Sequence, residues 1–223
     1  MINKLIPITS GEISINNVSI SQWDTIELRR SIGYVIQQVG LFPHMTIENN
    51  ISYVPRIKGL QKKDFHKKSK ELIELVGLDE EYLKRYPHEL SGGQKQRIGV
   101  ARALASDPNI ILMDEPFGAV DEIARRHLQD ELKIIHNKMK KTILFVTHDI
   151  EEALKLGTKI ILLNNGKIEQ IGTPKEVVFE PENDYVKNFF GIKGFKGSLD
   201  ESKLEILYNQ ILNGEKELDD IFS

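Results

Sequence analysis

Three stretches of this chain are apolar at every position and too short to be helices: Ile110–Met113, Ile143–Val146 and Ile160–Leu163. Strands that are apolar on both faces need cover on both faces, and a parallel sheet with helices packed on either side provides it. The flanking segments fit that architecture. A short helix is expected around Thr25–Arg30, leading into a strand at Ile32–Ile36. Lys62–Val76 carries Phe65, Leu72, Ile73 and Val76 at helical spacing, with Gly77 as its stop. Further helices are read at about Gly93–Ala105, at Asp121–Lys138 and at Glu151–Leu156, with strands at Thr142–Thr147 and Lys159–Leu163. Asn165-Gly166 turns that last strand back into Lys167–Ile171, and Asn16-Asn17 makes a second hairpin within Gly11–Ile20. The pattern is α/β.

Composition narrows the chemistry. The 223 residues contain no Cys, which removes disulfides, thiolate metal sites and a Cys nucleophile together. No apolar run approaches the ~20 residues of a membrane-spanning helix. No basic-then-apolar leader opens the sequence, so a cytoplasmic address with at most a peripheral membrane role is expected. The net charge of −3 is unevenly spread: Arg56–Lys70 holds seven Lys or Arg against one Asp, and Asp200–Ser223 holds seven acids against two Lys. The basic run reads as a solvated helix face or as a surface for phosphate or anionic lipid. The acidic tail follows three glycines within Gly191–Gly197.

Candidate functional residues fall in four places. Leu90-Ser91-Gly92-Gly93-Gln94 precedes a helix; Ser91 can cap it, and the two glycines let backbone N–H groups approach a phosphate, although Ser-Gly-Gly is also a common loop. The strand Ile110–Met113 delivers Asp114 and Glu115 to its C-terminal end, where ligands of open α/β sheets bind. Asp114 suits Mg²⁺ and Glu115 suits activation of a water. His148 follows the strand Phe145–Thr147 and can either donate to a phosphate or serve structurally. Gln37, after Ile32–Ile36 and beside Gln38, can ligate a metal, hold a water or simply be solvated.

Taken together, these motifs resemble the ATP-binding subunits of ABC transporters from about Met1 to Phe190. Leu90–Gln94 looks like the signature motif, Ile110–Pro116 like the Walker B strand, and Gly118-Ala119-Val120-Asp121 like the D-loop; His148 matches the switch histidine and Gln37 the Q-loop glutamine. The stretches Gly33–Gln38, Gly40–Thr46 and Asp114–Asp121 are most similar to importers of the quaternary amine osmoprotectants glycine betaine, carnitine and choline. The resemblance implies a P-loop NTPase-like parallel sheet with an inserted helical subdomain at about residues 40–105, inside a cassette domain spanning 1–190. The acidic tail 191–223 would lie outside it. It also implies ATP and Mg²⁺ as cofactors, a second ATP-binding subunit paired head to tail, and membrane permease subunits docked on Gly40–Pro55, with no nucleic acid. In that scheme Glu115 is general base, Asp114 supports Mg²⁺, His148 contacts the γ-phosphate, and Gln37 senses metal and water. Ser91, Gly92, Gly93, Gln94 and Asp121 complete the nucleotide sandwich from the neighbouring subunit. Leu41, Phe42 and Met45 are expected either exposed for docking or buried in the subdomain core.

One expected part is absent from the sequence. No stretch reads Gly-x-x-x-x-Gly-Lys-Ser/Thr; the single Gly-Lys pair, Gly166-Lys167, has Ile161 five residues before it and Ile168 after it. By resemblance, Met1–Pro7 looks like the last turns of the helix that follows a P-loop, so the cassette is expected to be N-terminally truncated. A misassigned start or partial record, a degenerate or split remnant, and a short form acting in trans all account for this. The strand feeding a P-loop lies inside the sheet, and its loss is expected to expose apolar faces of its neighbours.

Overall fold

The computed structural model describes residues 1–36, 40–118, 122–139, 141–197, 206, 209, 210 and 213. They form two compact units, Met1–Thr147 and a second beginning at His148.

The first unit opens with a small hairpin, β1 (Ser14–Ile15) and β2 (Val18–Ser19). Asn16 and Asn17 both take positive φ at its turn, the conformation that a two-residue hairpin turn requires. Asp24 caps α1 (Thr25–Ser31), accepting from Ile26 and Glu27 N–H at 2.9 Å. These two bonds hold its carboxyl below the ordinary range. Then come β3 (Ile32–Val35), α2 (Ile47–Ile51), α3 (Tyr53–Ile57), α4 (Lys62–Leu75), α5 (Gly92–Leu104), β4 (Ile110–Asp114), α6 (Glu122–Met139) and β5 (Thr142–Val146). The strands β3, β4 and β5 make one parallel sheet in that order, with Val35 level with Met113 and Asp114 level with Val146. Leu28, Ile32 and Leu112 join Ile15 and Ile20 in a core that the half-buried Trp23 also packs against. Each such aliphatic side chain contributes about 1.5–3 kcal/mol on burial. Helix α5 lies close on β3: a Cβ at Gly33 would stand 2.6 Å from the Ala103 carbonyl.

Three expectations need correction. Met1–Pro7 is not the end of a helix; a single turn is closed there by Lys4 N–H donating to the Met1 carbonyl at 2.8 Å. So short a stretch does not recover the cost of helix nucleation, and Pro7 supplies no N–H. Short helices α2 and α3 went unread because five residues show no usable period. And β5 is not covered on both faces, with Leu144 41% and Val146 53% exposed; this departs from two-sided cover but agrees with the expectation that apolar faces of the sheet are left open.

The second unit contains α7 (Ile150–Leu156), an antiparallel pair β6 (Ile160–Asn164) and β7 (Lys167–Gly172), α8 (Pro174–Phe179) and α9 (Asp184–Gly197). Its core is Leu154, Ile160, Leu162, Val177, Val186 and Phe190. Asn165 and Gly166 turn the hairpin with positive φ, as the sequence predicts. Helices α8 and α9 were not foreseen. Thr173 and Glu176 form a capping box around Pro174, and α9 runs through the three glycines, kinked at Gly191 with φ 43°. On β6, Ile161 is 48% and Leu163 61% exposed.

Candidate functional site

The N-terminus of α5 is built as a closed local circuit. Ser91 Oγ accepts from Gln94 N–H at 3.3 Å, and Gln94 Oε1 accepts from Ser91 N–H at 3.0 Å. This is a capping box, in which two orphan backbone N–H groups are each accepted by the other residue's side-chain oxygen. Gln94 Nε2 then donates to the Tyr82 hydroxyl at 3.1 Å, which fixes both ends of the amide. Gly92 and Gly93 begin the helix, where backbone N–H groups have no partner within it. The result is a short row of donors at the positive end of a thirteen-residue helix. A cleft of about 350 Å³ opens beside it, walled by Gly77, Asp79, Tyr82, Ser91, Gln94 and Arg97.

Arg97 anchors the floor of this cleft. Its Nη1 donates to the carbonyls of Val76 at 3.0 Å and Gly77 at 3.2 Å, and to Glu131 Oε1 at 2.9 Å. Thus one guanidinium ties the end of α4, the body of α5 and the body of α6. Burial pushes the Glu131 carboxyl above its ordinary range, against the pull of Arg97. Its other oxygen, Oε2, is buried without a donor among the described residues. Neither Tyr82 nor the Arg97–Glu131 pair was found from the sequence. Each partner lies far along the chain, so no local spacing marks them.

The carboxylate pair sits where its strand predicts. Asp114 ends β4 and is exposed; Glu115 is half-buried and has φ 42°, unusual for a residue with a Cβ. Its N–H donates to the Val146 carbonyl at 2.9 Å, and its own carbonyl accepts from Gly118 N–H at 3.2 Å. Phe117, fully buried and 5.8 Å from the Phe145 ring, pins the turn that follows. A left-handed residue braced from both sides swings the chain away from the strand and leaves the two adjacent carboxylates at its end.

The loop Phe42–Thr46 is held by a residue that the sequence did not single out. Asn50, fully buried, accepts from Phe42 N–H at 2.7 Å and donates to the carbonyls of Phe42, Met45 and Thr46, each at 3.1 Å. Leu41, Phe42 and Met45 are half-buried, with the Phe42 ring 4.7 Å from Tyr53. They are neither free docking knobs nor core residues. Behind them, Arg102 of α5 donates to the Gly40 carbonyl at 2.8 Å.

His148 opens the second unit and is exposed, followed by Asp149, which caps α7 through Glu151 N–H at 2.8 Å and Glu152 N–H at 3.3 Å. Gln37 and Asp121 lie outside the described residues. Ser91–Gln94 and Asp114–Glu115 are therefore two clusters on two elements of the first unit. Among the described residues no three His, Asp or Glu side chains converge as a metal cage.

A family model described as "ABC transporter" matches residues 1–118, more than half of the chain. The chain belongs to the ABC transporter family. It is 54% identical over 191 residues to the glycine betaine/carnitine/choline transport ATP-binding protein OpuCA of Bacillus subtilis, covering 86% of this chain and 50% of that one. It is 51% identical to the carnitine transport ATP-binding protein OpuCA of Listeria monocytogenes over 214 residues, 96% of this chain and 53% of that one. The osmoprotectant import ATP-binding protein OsmV of Salmonella typhimurium is 52% identical, with 86% and 50% covered. The chain spans about half the length of these curated relatives. Among solved structures, the dimeric bacterial ABC transporter cassette MJ0796 matches with a TM-score of 0.66 at 36% identity, over 74% of each chain. The same cassette bound to ADP and Pi gives 0.66 at 35% identity, again over 74% of each chain. The α/β fold with its parallel sheet is that of a P-loop NTPase-like ABC cassette. No described helix is long and apolar enough to cross a membrane.

Proposed function

We propose that this chain serves as an ATP-binding, energy-coupling subunit of an importer for quaternary amine osmoprotectants. The observation that supports it most directly is the donor row at α5, where the capping box of Ser91 and Gln94 leaves the Gly92 and Gly93 N–H groups at the helix start facing no intrahelical acceptor. In a head-to-tail pair, Ser91 Oγ and the Gly93 N–H contact the terminal phosphate of a nucleotide carried by the neighbouring subunit. The Glu115 carboxylate takes a proton from the attacking water; that His148 contacts the γ-phosphate is taken from the family resemblance. Asp114 is the carboxylate that would hold Mg²⁺; when bound, the ion neutralises phosphate charge. Gln37 and Asp121 take their positions in this scheme from the family resemblance. Such a reaction depends mainly on positioning and charge neutralisation. The cassette domain is taken as residues 1–190, with Gly40–Pro55 as the face toward a permease on the inner side of the cell membrane.

The lack of any Gly-x-x-x-x-Gly-Lys-Ser/Thr within the 223 residues favours a second reading: a non-catalytic ABC-like protein that lends Ser91–Gln94 to an intact partner. One experiment separates the two. The pure chain is expected to bind MgATP poorly and to turn it over negligibly, so that Glu115→Gln changes nothing. Mixed with Listeria OpuCA whose own signature motif is disabled, it is expected to restore turnover, and Ser91→Ala or Gly93→Asp in this chain should abolish the rescue. Turnover by the pure chain that Glu115→Gln abolishes excludes the second reading. Absence of rescue excludes a working signature face.

A further inference from the structure

The parallel sheet has a second end, remote from Asp114, where β3 and β4 begin at Ile32 and Ile110. A cavity of about 150 Å³ opens there in the first unit. Trp23 forms one wall, Lys58 of the α3–α4 turn another, and the loop from Ser106 to Asn109 a third, with Ile15 and the two strand-opening isoleucines giving an apolar lining. At ~30 Å³ per water, the space equals about five waters, the size of a small organic acid.

The polar groups around it are supplied more fully than they are used. Lys58 Nζ makes one hydrogen bond, to the Arg30 carbonyl at 3.5 Å, which is the outer limit of such a contact, and no carboxylate pairs with it among the described residues. The Trp23 indole Nε1 is shut off from solvent without an acceptor among the described residues, so the cavity meets the tryptophan through other atoms of the residue and not through this donor. The carboxylate at the rim, Asp107, is already paired with Lys141 at 3.0 Å. A single uncommitted ammonium beside hydroxyl and amide groups matches one negative charge. A dianion would be under-compensated here and would meet Asp107 as well. The apolar lining and the indole suit the body of the same molecule.

We propose that this cavity binds a small organic carboxylate, its charged end held by Lys58 with Ser106 and Asn109 and its body laid against Trp23. The ligand joins the α3–α4 turn to the root of β4. This assignment does not depend on the ATPase reading. Two kinds of body meet the requirement, an aliphatic chain or a quaternary ammonium, which the face of an indole also attracts.

Trp23 is the single tryptophan of the chain, so its fluorescence reports the wall of the cavity directly. The full chain is titrated with sodium butyrate, with glycine betaine and with sodium orthophosphate, each against potassium chloride at matched ionic strength. A saturable change in Trp23 emission with butyrate or betaine, weakened at least about tenfold by Lys58→Met, is the expected result. The thermal midpoint should rise with the same ligand in the wild type and stay fixed in the variant. Lys58 lies on an exposed turn, and circular dichroism confirms that the variant folds; Asn109→Ala gives a second test, with weaker binding again expected. Stronger binding of betaine assigns the indole face to a quaternary ammonium, whereas stronger binding of butyrate assigns it to an aliphatic body. The proposal is overturned if orthophosphate alone titrates, if potassium chloride reproduces the change, if neither carboxylate binds, or if Lys58→Met binds like the wild type.

Discussion

Asn50 shows how one buried amide can organise a loop. Its side chain bonds four backbone groups between Phe42 and Thr46; the Phe42 and Thr46 carbonyls also accept from Met45 N–H and Asn50 N–H, so the Phe42 N–H and the Met45 carbonyl depend on it most. Asn50→Ala is expected to cost about 2–4 kcal/mol, because several desolvated backbone groups lose a partner at once. Urea unfolding of the two proteins measures this directly. Glu131 makes a pH-dependent prediction. Its carboxyl titrates above the ordinary 4.5 in the folded chain, so the native state holds its proton more tightly than the unfolded state. Stability from this group is therefore greatest at low pH and falls as pH rises from about 4.5 through the raised value. Glu131→Gln cannot ionise. Its urea midpoint, followed from about pH 4 to about pH 7, should lack that decline, and parallel curves for the two proteins would refute the assignment. None of this was visible in the sequence, where Asn50 is one of two adjacent asparagines and Glu131 one acid among many on a helix.

At the scale of elements, the helix ends carry much of the specificity. α4 stops as its sequence predicts: Gly77 takes φ 68°, Gly77 N–H donates to the Glu74 carbonyl and Leu78 N–H to the Ile73 carbonyl, both at 3.0 Å. The same glycine makes room for its neighbours, since a Cβ there would stand 2.5 Å from Glu131 Oε1 and 2.7 Å from Arg97 Nη1. Gly77→Ala is expected to cost at least about 1–2 kcal/mol for the left-handed conformation. It should also loosen the Arg97 node, read as faster amide exchange in the first turn of α5. The strand β5 is a different case. Thr142–Val146 carries no charge, Pro or bulge, and it pairs only with β4 among the described residues. Apolar edge strands left without such devices self-associate. Leu144→Lys is therefore expected to lower the light scattering of concentrated samples without shifting the unfolding midpoint by more than about 1 kcal/mol.

For the whole molecule, the period of the apolar residues was decisive. Runs such as Ile110–Met113 cannot be solvated on either face, so a parallel sheet with helices follows from local chemistry. Glycine, proline and capping residues then set the ends of α1, α4 and α5 within a residue or two. The same locality made the motifs legible: Ser91–Gln94 and Asp114–Glu115 are contiguous in the chain, and each depends on the element beside it. The 223 residues contain no Gly-x-x-x-x-Gly-Lys-Ser/Thr, so the pure chain is expected to show no turnover in a coupled phosphate-release assay, with or without Glu115→Gln. By itself, then, the sequence determined the fold class, the family and the two clusters of candidate residues, because periodicity and caps act over a few residues. The tertiary structure alone decided that Tyr82 steadies Gln94, that Arg97 binds three helices to one another, that Asn50 shapes the loop before it, and that Trp23, Lys58 and Asn109 share a cavity. Those contacts join residues distant in sequence or facing one another only after packing, and no local pattern encodes them.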